Sequence, residues 1–518
     1  MNKITSFLSK NIEDIVSLDL RALAVFRITL GLILLIDMID RLKDANIFYA
    51  INGVGVNGNS NSLFTDISFS LNNLNGDVKF QIAILLTGVL LSVLFIIGFK
   101  TRFTTILLWI VVVSIQNRNF LILQGGDDYM RVLLLWAMFL PIGCRFSYDY
   151  FRNKTRFKKL ENKYISPVNI GLIFQVIFLY YFSALSKNDP IWNKDFTAIY
   201  YALSLDIFVT WFGRILLTFR DLLRPLTAFV YYLEYYVGLL LVQPIYNWVT
   251  RTLGIILILG LHFGIGSTLD VGPFPWIAMC GALALLPTQA IDFGINLLRN
   301  DKRINKLIAK LGSNHLWLTL LKYLPKENRS LKRENKYIFS KYKENVFILS
   351  TLILSVFTFA ITFVSYIWNE NNNGANITLP TQVRSVFNFI RMDQDWAMFA
   401  PYPFTEDGWY VILGHKKSGE IESLFGANEK TNFDKFPDNY SQDFKNERWR
   451  KLMTNLWYDR YTSKRTDLLN YMCDEWNHDP NKQDKLVSID MFYMLDRTLP
   501  DFQKFNIEKT NLGSVTCQ

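Results

Sequence analysis

Five windows of this chain, Leu20–Ile39, Gln81–Phe99, Val168–Ser186, Leu253–Leu269 and Val346–Ile367, each run for about 17–22 residues with few or no charges. That is the length a helix needs to cross the hydrocarbon core of a bilayer, and none of the windows has the polar face of an ordinary surface helix. The chain therefore reads as an integral membrane protein. Half of its 518 residues are hydrophobic, and their clustering makes length a poor guide to domain number.

Loop charge sets the expected sidedness. Lys100 and Arg102, then Arg145 to Lys163, then Arg214, Arg220 and Arg224, and a basic loop over 290–345 fall between apolar segments and belong on the cytoplasmic side. The loops at 41–80, 118–128, 188–197 and 244–252 belong outside. Because the basic groups orient helices, the net charge of +10 does not argue for nucleic acid. Helices are expected near 20–40, 81–99, 103–117, 129–144, 168–187, 198–219, 226–243, 253–288 and 346–367. The span over 253–288 is read as broken at Asp270-Val-Gly-Pro-Phe-Pro275, where two prolines remove backbone donors. This predicts an all-α polytopic bundle of about nine transmembrane helices, with the N-terminus inside and the C-terminus outside.

Residues 1–368 form the expected membrane domain, and an Asn-rich linker, Asn369–Gly374, opens a small mixed α/β extracytoplasmic domain over 369–518. There Trp409–Leu413 reads as a strand and Asp443–Tyr461 as an amphipathic helix. Met1–Asp19 lacks the apolar core and cleavage site of a signal peptide, so the first helix is expected to serve as the insertion signal. Of the four cysteines, Cys473 and Cys517 could pair in an outside domain or remain free thiols.

Ionisable groups are expensive in a bilayer, so the few near spans are the candidate site residues. They are Arg27, Asp37, Asp127, Asp128, Arg131, Lys187, Glu234, His262 and Asp270. Lys187 follows the aromatic run Phe178–Phe182; a desolvated amine there is a potential base, and snorkelling to the interface is the plainer reading. Glu234 and His262 could share a proton, and Arg27 is expected to pair with an acid such as Asp128 or Glu234. No metal-ligand spacing, P-loop or nucleophile elbow occurs.

Leu18-Asp-Leu-Arg-Ala-Leu-Ala-Val-Phe-Arg-Ile-Thr-Leu-Gly31, Asn117-Arg-Asn119 with Gly125-Gly-Asp127, and Lys187 to Trp192 together resemble the HTTM membrane domain shared with vitamin K-dependent gamma-glutamyl carboxylase. Gln394-Asp-Trp-Ala-Met-Phe-Ala-Pro401 resembles the segment that follows that domain in bacterial members. The resemblance implies a lysine that deprotonates a reduced quinone of the vitamin K or menaquinone type. Lys187, Trp192 and His262 match positions of that family; the leading reading takes Lys187, His262 and Glu234 as catalytic and Arg27, Asn117, Arg118 and Trp192 as cofactor contacts. Where the carboxylase carries a histidine, this chain reads Asn117-Arg-Asn119, and its outer domain is smaller than the carboxylase's.

The leading expectation is a bacterial inner-membrane enzyme performing carboxylase-like, quinone-linked modification of an exported peptide or protein. The alternative is a non-enzymatic membrane factor for maturation, export or anchoring of a secreted partner, working through Trp396, Met398 and Phe399. A transporter using the broken helix is a third reading, for which no internal repeat is visible.

Overall fold

The computed structural model describes residues 11–56, 69–158, 160–300, 344–426, 433, 440–500, 503 and 507–517. Residues 301–343, most of the basic loop expected over 290–345, lie outside the described residues.

The membrane part is a helical bundle: α1 (Leu20–Lys43), α2 (Val78–Ile97), α3 (Thr101–Arg118), α4 (Gly125–Phe139), α5 (Pro167–Ser186), α6 (Ala198–Leu203), α7 (Trp211–Thr218), α8 (Arg220–Val242), α9 (Asn247–Thr268), α10 (Phe274–Leu283), α11 (Thr288–Asn300) and α12 (Glu344–Asn372). Six of these, α1, α2, α5, α8, α9 and α12, are long and apolar enough to cross a membrane, and a seventh candidate is the α10–α11 pair, bent by 96°. The protein is thus a multi-pass membrane protein.

Local chemistry starts and stops these helices. The Asp19 carboxylate caps α1 by accepting from the Arg21 amide at 2.7 Å. Helix α2 ends at Gly98, whose φ of +73° suits glycine and where a Cβ would strike the Arg27 guanidinium. The Asp149 carboxylate, from a distant loop, accepts from the Thr101 amide and hydroxyl, each at 2.7 Å, and so caps α3. Gln124 and Asp127 form a capping box at α4.

The bundle has two distinct ends. At one, Arg251 of α9 donates to Ser17 and Ile15 carbonyls, and Arg21 pairs with Asp292 of α11 at 2.5 Å. The C-terminal domain covers the other. There α13 (Thr381–Phe389) leads into a four-stranded antiparallel sheet in the order β4-β3-β5-β6, made by β3 (Glu406–Lys416), β4 (Ile421–Ser423), β5 (Leu486–Arg497) and β6 (Glu508–Thr516). The two strands numbered before these, β1 (Leu18–Asp19) and β2 (Lys163–Tyr164), pair across the opposite end of the bundle. Helices α14 (Glu447–Leu456) and α15 (Thr462–His478) complete the domain, and a Cys473–Cys517 disulfide ties α15 to the end of β6.

Four expectations need correction. The span read over 198–219 is two short helices, α6 and α7, lying at the domain end: Thr210 N–H donates to Thr268 O at 3.0 Å, and Ser441 Oγ donates to Val209 O at 3.3 Å. The span read over 253–288 is a hairpin: α9 climbs to the domain end, the chain turns at 269–273, and α10 returns toward Asp292 and Arg21. In consequence the loop with Arg214 lies on the domain's side and residues 244–252 lie on the N-terminal side, the reverse of the loop-charge reading. The expected linker also differs in kind. Asn369–Asn372 are the last turn of α12, with Asn369 donating to Ser365 O and Asn372 to Gln394 O, both at 2.8 Å.

Candidate functional site

Tyr180, Ser183 and Lys187 recur at helical spacing along the last turns of α5, so they share one face. That face looks into a cavity of about 740 Å³ between the bundle and the C-terminal domain, and α8 and α9 supply Glu234 and His262 to the same cavity. Lys187 is 3% exposed, and its ammonium bonds directly to Glu234 Oε2. Ser183 Oγ donates to the same oxygen at 3.3 Å. The Trp192 ring lies 4.5 Å from Lys187 Nζ, close enough for a cation–π contact, and its indole N–H is fixed by Phe399 O at 2.8 Å. Beside this pair, the Tyr180 hydroxyl and His262 Nε2 share a hydrogen bond of 3.0 Å. His262 Nδ1 has no hydrogen-bond partner among the described residues, and the ring stands edge-on to Phe274 at 5.5 Å.

Around these polar groups the walls are apolar, with Leu179, Phe229, Val230, Leu261 and Phe274 among them. The space arises because α8 and α9 diverge. At Gly254 the helices are in close contact, since a Cβ would lie 3.2 Å from Leu240 Cβ. At Gly260 and Gly264, which line the cavity, a Cβ would meet nothing within 4 Å.

The far side of the cavity belongs to the C-terminal domain, through Glu447, Arg450, Lys451 and Asn455 of α14 and Tyr458 and Arg460 beyond it. Burial pushes the Glu447 carboxyl up to about 7, against the opposing pull of Arg448 and with reinforcement from Asp127 and Asp37. Glu447 accepts from Gln124 Nε2 and lies 3.2 Å from Arg448. Arg450 is held by Asp270 at 2.8 Å.

Lys187, Glu234, His262 and Trp192 are therefore brought together. Glu234 and His262 do not bond to each other as expected; each finds its partner on α5 instead. Arg27 lies elsewhere, near the N-terminal end, where it donates to Phe95 O at 3.3 Å and Phe146 O at 2.5 Å rather than pairing with an acid. Asn117 and Arg118 do not line the cavity either. Asn117 bonds Phe69 O at 2.7 Å and accepts from Arg391, while Arg118 donates to Tyr49 O at 3.0 Å. Trp396 is 1% exposed and packs edge-on against Tyr129 of α4 at 5.6 Å, so this side chain is spent on the protein's own bundle.

Sequence reasoning missed the buried cluster that holds the domain on the bundle. Arg448 of α14 donates to both Asp127 oxygens, to Asp37 Oδ1 at 2.7 Å and to Ile122 O at 2.9 Å. Arg41 joins the same two acids and Tyr49. Asp37 and Asp127 stood out in the sequence, but the partner arginine sits in a polar helix where arginine is unexceptional. Arg131 makes a second tie, bonding Asp128 and, at 2.7 Å, Asp393 O.

No protein-family model, no curated protein and no solved structure matches the chain.

Proposed function

We propose that this is a quinone-linked, carboxylase-like enzyme of the bacterial cytoplasmic membrane acting on an exported peptide or protein, with Lys187 and Glu234 as its proton-accepting pair. The observation that carries this reading is a buried lysine–carboxylate pair and a tyrosine–histidine pair on the wall of one largely apolar cavity. Buried ionisable pairs in a concave apolar site are where acid–base chemistry is placed. Structural ion pairs also occur, Arg450–Asp270 on the same cavity among them, but the Lys187–Glu234 pair stands beside a histidine whose Nδ1 has no partner among the described residues.

The residues fit a reduced quinone. The volume is in the range of small-molecule sites, the walls suit an apolar ring and tail, and the diverging α8 and α9 leave room beside His262. Such a cofactor supplies an acidic ring hydroxyl and reducing equivalents. The Lys187–Glu234 pair is neutral overall and can take up one proton as ammonium plus carboxylic acid, which would leave the Lys187 ammonium to face an acidic group held in the cavity. Tyr180 and His262 would orient the ring, and Trp192 with Phe399 would exclude water.

The orientation proposed with this function puts the C-terminal domain outside. Its disulfide favours an oxidising compartment, and Lys100, Arg102 and Arg145 to Lys158 cluster at the opposite end. Counting α3, α4 and the α10–α11 pair with the six long helices gives nine crossings, which is consistent with that sidedness.

Lys187→Ala tests the assignment. Mass spectrometry of co-expressed exported proteins should show loss of a modification while the variant still inserts and folds, and an unaltered product mass would sink it.

A further inference from the structure

The cavity carries positive charge that its own acids do not neutralise, and that charge is placed at the C-terminal-domain end. Its cationic lining groups are Lys187, Arg450, Lys451 and Arg460, and its acidic ones are Glu234, Asp395 and Glu447. Lys187 is matched by Glu234, Arg450 by Asp270, and Glu447 by Arg448 and Gln124. This leaves Lys451 and Arg460 without an ion-pair partner: Asp128 and Asp127, the acids that act on Lys451, are already bound by Arg131, Arg41 and Arg448, and Asp395 is an exposed residue whose Oδ1 accepts from the Ala397 amide at 3.0 Å. Among the described residues, neither Lys451 nor Arg460 makes an ion pair or a hydrogen bond. Arg460 instead stacks on Tyr458 and Tyr461, at 5.2 and 4.9 Å, contacts that hold its planar group without using its donors.

Lys451 is partly buried, and Arg460 is exposed at the edge of the cavity. Burial holds the Lys451 amine below its usual value against the opposing pull of Asp128 and Asp127, and Arg460 adds to the lowering. Thr454, Asn455 and Tyr458 add hydroxyl and amide groups on the same wall. The rest of the cavity has the opposite character, with apolar side chains and the open strip along Gly260 and Gly264.

We infer that Lys451 and Arg460 form an anion subsite, and that one cavity holds an amphiphile with its negatively charged headgroup on these two residues and its apolar part along α8 and α9. The shared chemistry is an anionic headgroup, such as the phosphate of an acidic phospholipid, on a hydrocarbon chain. A guanidinium fork beside an ammonium suits a phosphate's oxygens, and the two-ended lining selects against a molecule that has only one of the two parts. The subsite rests on the cavity and not on the base chemistry proposed for Lys187, so either can fail without the other.

The test uses the full-length protein in a neutral maltoside detergent. Dioleoylphosphatidylglycerol, dioleoylphosphatidylcholine and inorganic phosphate are titrated separately and followed by native mass spectrometry. Lys451→Gln/Arg460→Gln should weaken phosphatidylglycerol binding at least tenfold and leave phosphatidylcholine binding unchanged, while Lys482→Gln, removal of a positive charge outside the cavity, should have no effect. Gly264→Leu, which projects into the apolar end from a position where a Cβ meets nothing within 4 Å, should also weaken phosphatidylglycerol binding. Because neither cation makes a bond within the protein, the double variant should fold normally. Equal phosphatidylglycerol affinity in the wild type and the double variant would overturn the subsite. Inorganic phosphate binding as tightly as the lipid, with Gly264→Leu silent, would overturn the amphiphile and leave a site for a free anion.

Discussion

Replacing Arg448 with Met should loosen the C-terminal domain from the bundle by about 3–5 kcal/mol, the range for breaking a buried ion pair from one side. The structure supports the upper part of that range. Arg448 is 1% exposed and gives four hydrogen bonds to two carboxylates and a carbonyl, so its loss leaves Asp37 and Asp127 to share Arg41 alone. With Glu447 mostly protonated below pH 7, the cluster goes from balanced charge to a net −1. Hydrogen exchange over α14 reads this directly. If docking opens as a unit, a loss of 3–5 kcal/mol should raise exchange rates by a factor on the order of 10² to 10³ or more. The decisive comparison is Arg448→Met/Asp127→Asn. It restores balance as a single Asp37–Arg41 pair and keeps the acceptor that caps Gln124, so it should exchange more slowly than Arg448→Met alone. A double variant that exchanges as fast as the single one would refute the charge-balance reasoning and leave only lost packing.

Four further outcomes are expected of the protein. Glu447 titrates near 7 when folded against an ordinary value near 4.5, so its contribution is complete below pH 4.5 and is lost as pH rises through 7; the wild type should lose up to about 3 kcal/mol relative to Glu447→Gln between pH 5 and 8, read from paired unfolding curves. Cys473→Ser removes a cross-link between residues separated by 44 positions and should destabilise the C-terminal domain by about 4 kcal/mol in denaturant titrations, if chain entropy dominates. Gly171→Ala places a methyl 2.4 Å from the Trp136 ring and should cost about 1–3 kcal/mol by parting α4 and α5, seen as a lower melting temperature in detergent. Glu234→Gln strips Lys187 of its anion and, on the proposed function, should abolish product formation while leaving insertion intact.

The existence of the long spans was legible because uninterrupted apolar length has one physical use. Their count and direction were not. Residues 198–219 are apolar and aromatic enough to read as a span, yet that composition serves two short helices packed under the domain, with Asp206 paired to Arg214 at 2.7 Å. The prolines at 273 and 275 were read as a kink within one span, whereas they begin a returning helix. Among the described residues six helices, or seven with the bent α10–α11 pair, are long and apolar enough to cross, against the nine read from the sequence, and the middle of the route is inverted. At the site, Lys187, Glu234 and His262 were legible because charged residues in spans are scarce. Arg27 was misplaced for the same reason in reverse: its partners are backbone carbonyls, which no sequence pattern displays.

The cavity and the Arg448 cluster meet at Glu447, and this joins docking to whatever occupies the cavity. Glu447 lines the cavity, contacts Arg448 and accepts from Gln124, the N-cap residue of α4. The cavity itself exists only while α14 lies across the bundle end, since its cationic wall is carried by that helix and the turn after it, whereas Lys187 and His262 come from below. An anion settling near Lys451 raises the cost of ionising Glu447, and a protonated Glu447 relieves the repulsion it imposes on Asp37 and Asp127. Occupancy of the cavity and firm seating of the domain therefore favour each other, and by reciprocity the domain's grip on Asp127 strengthens binding at a site that Arg448 never touches.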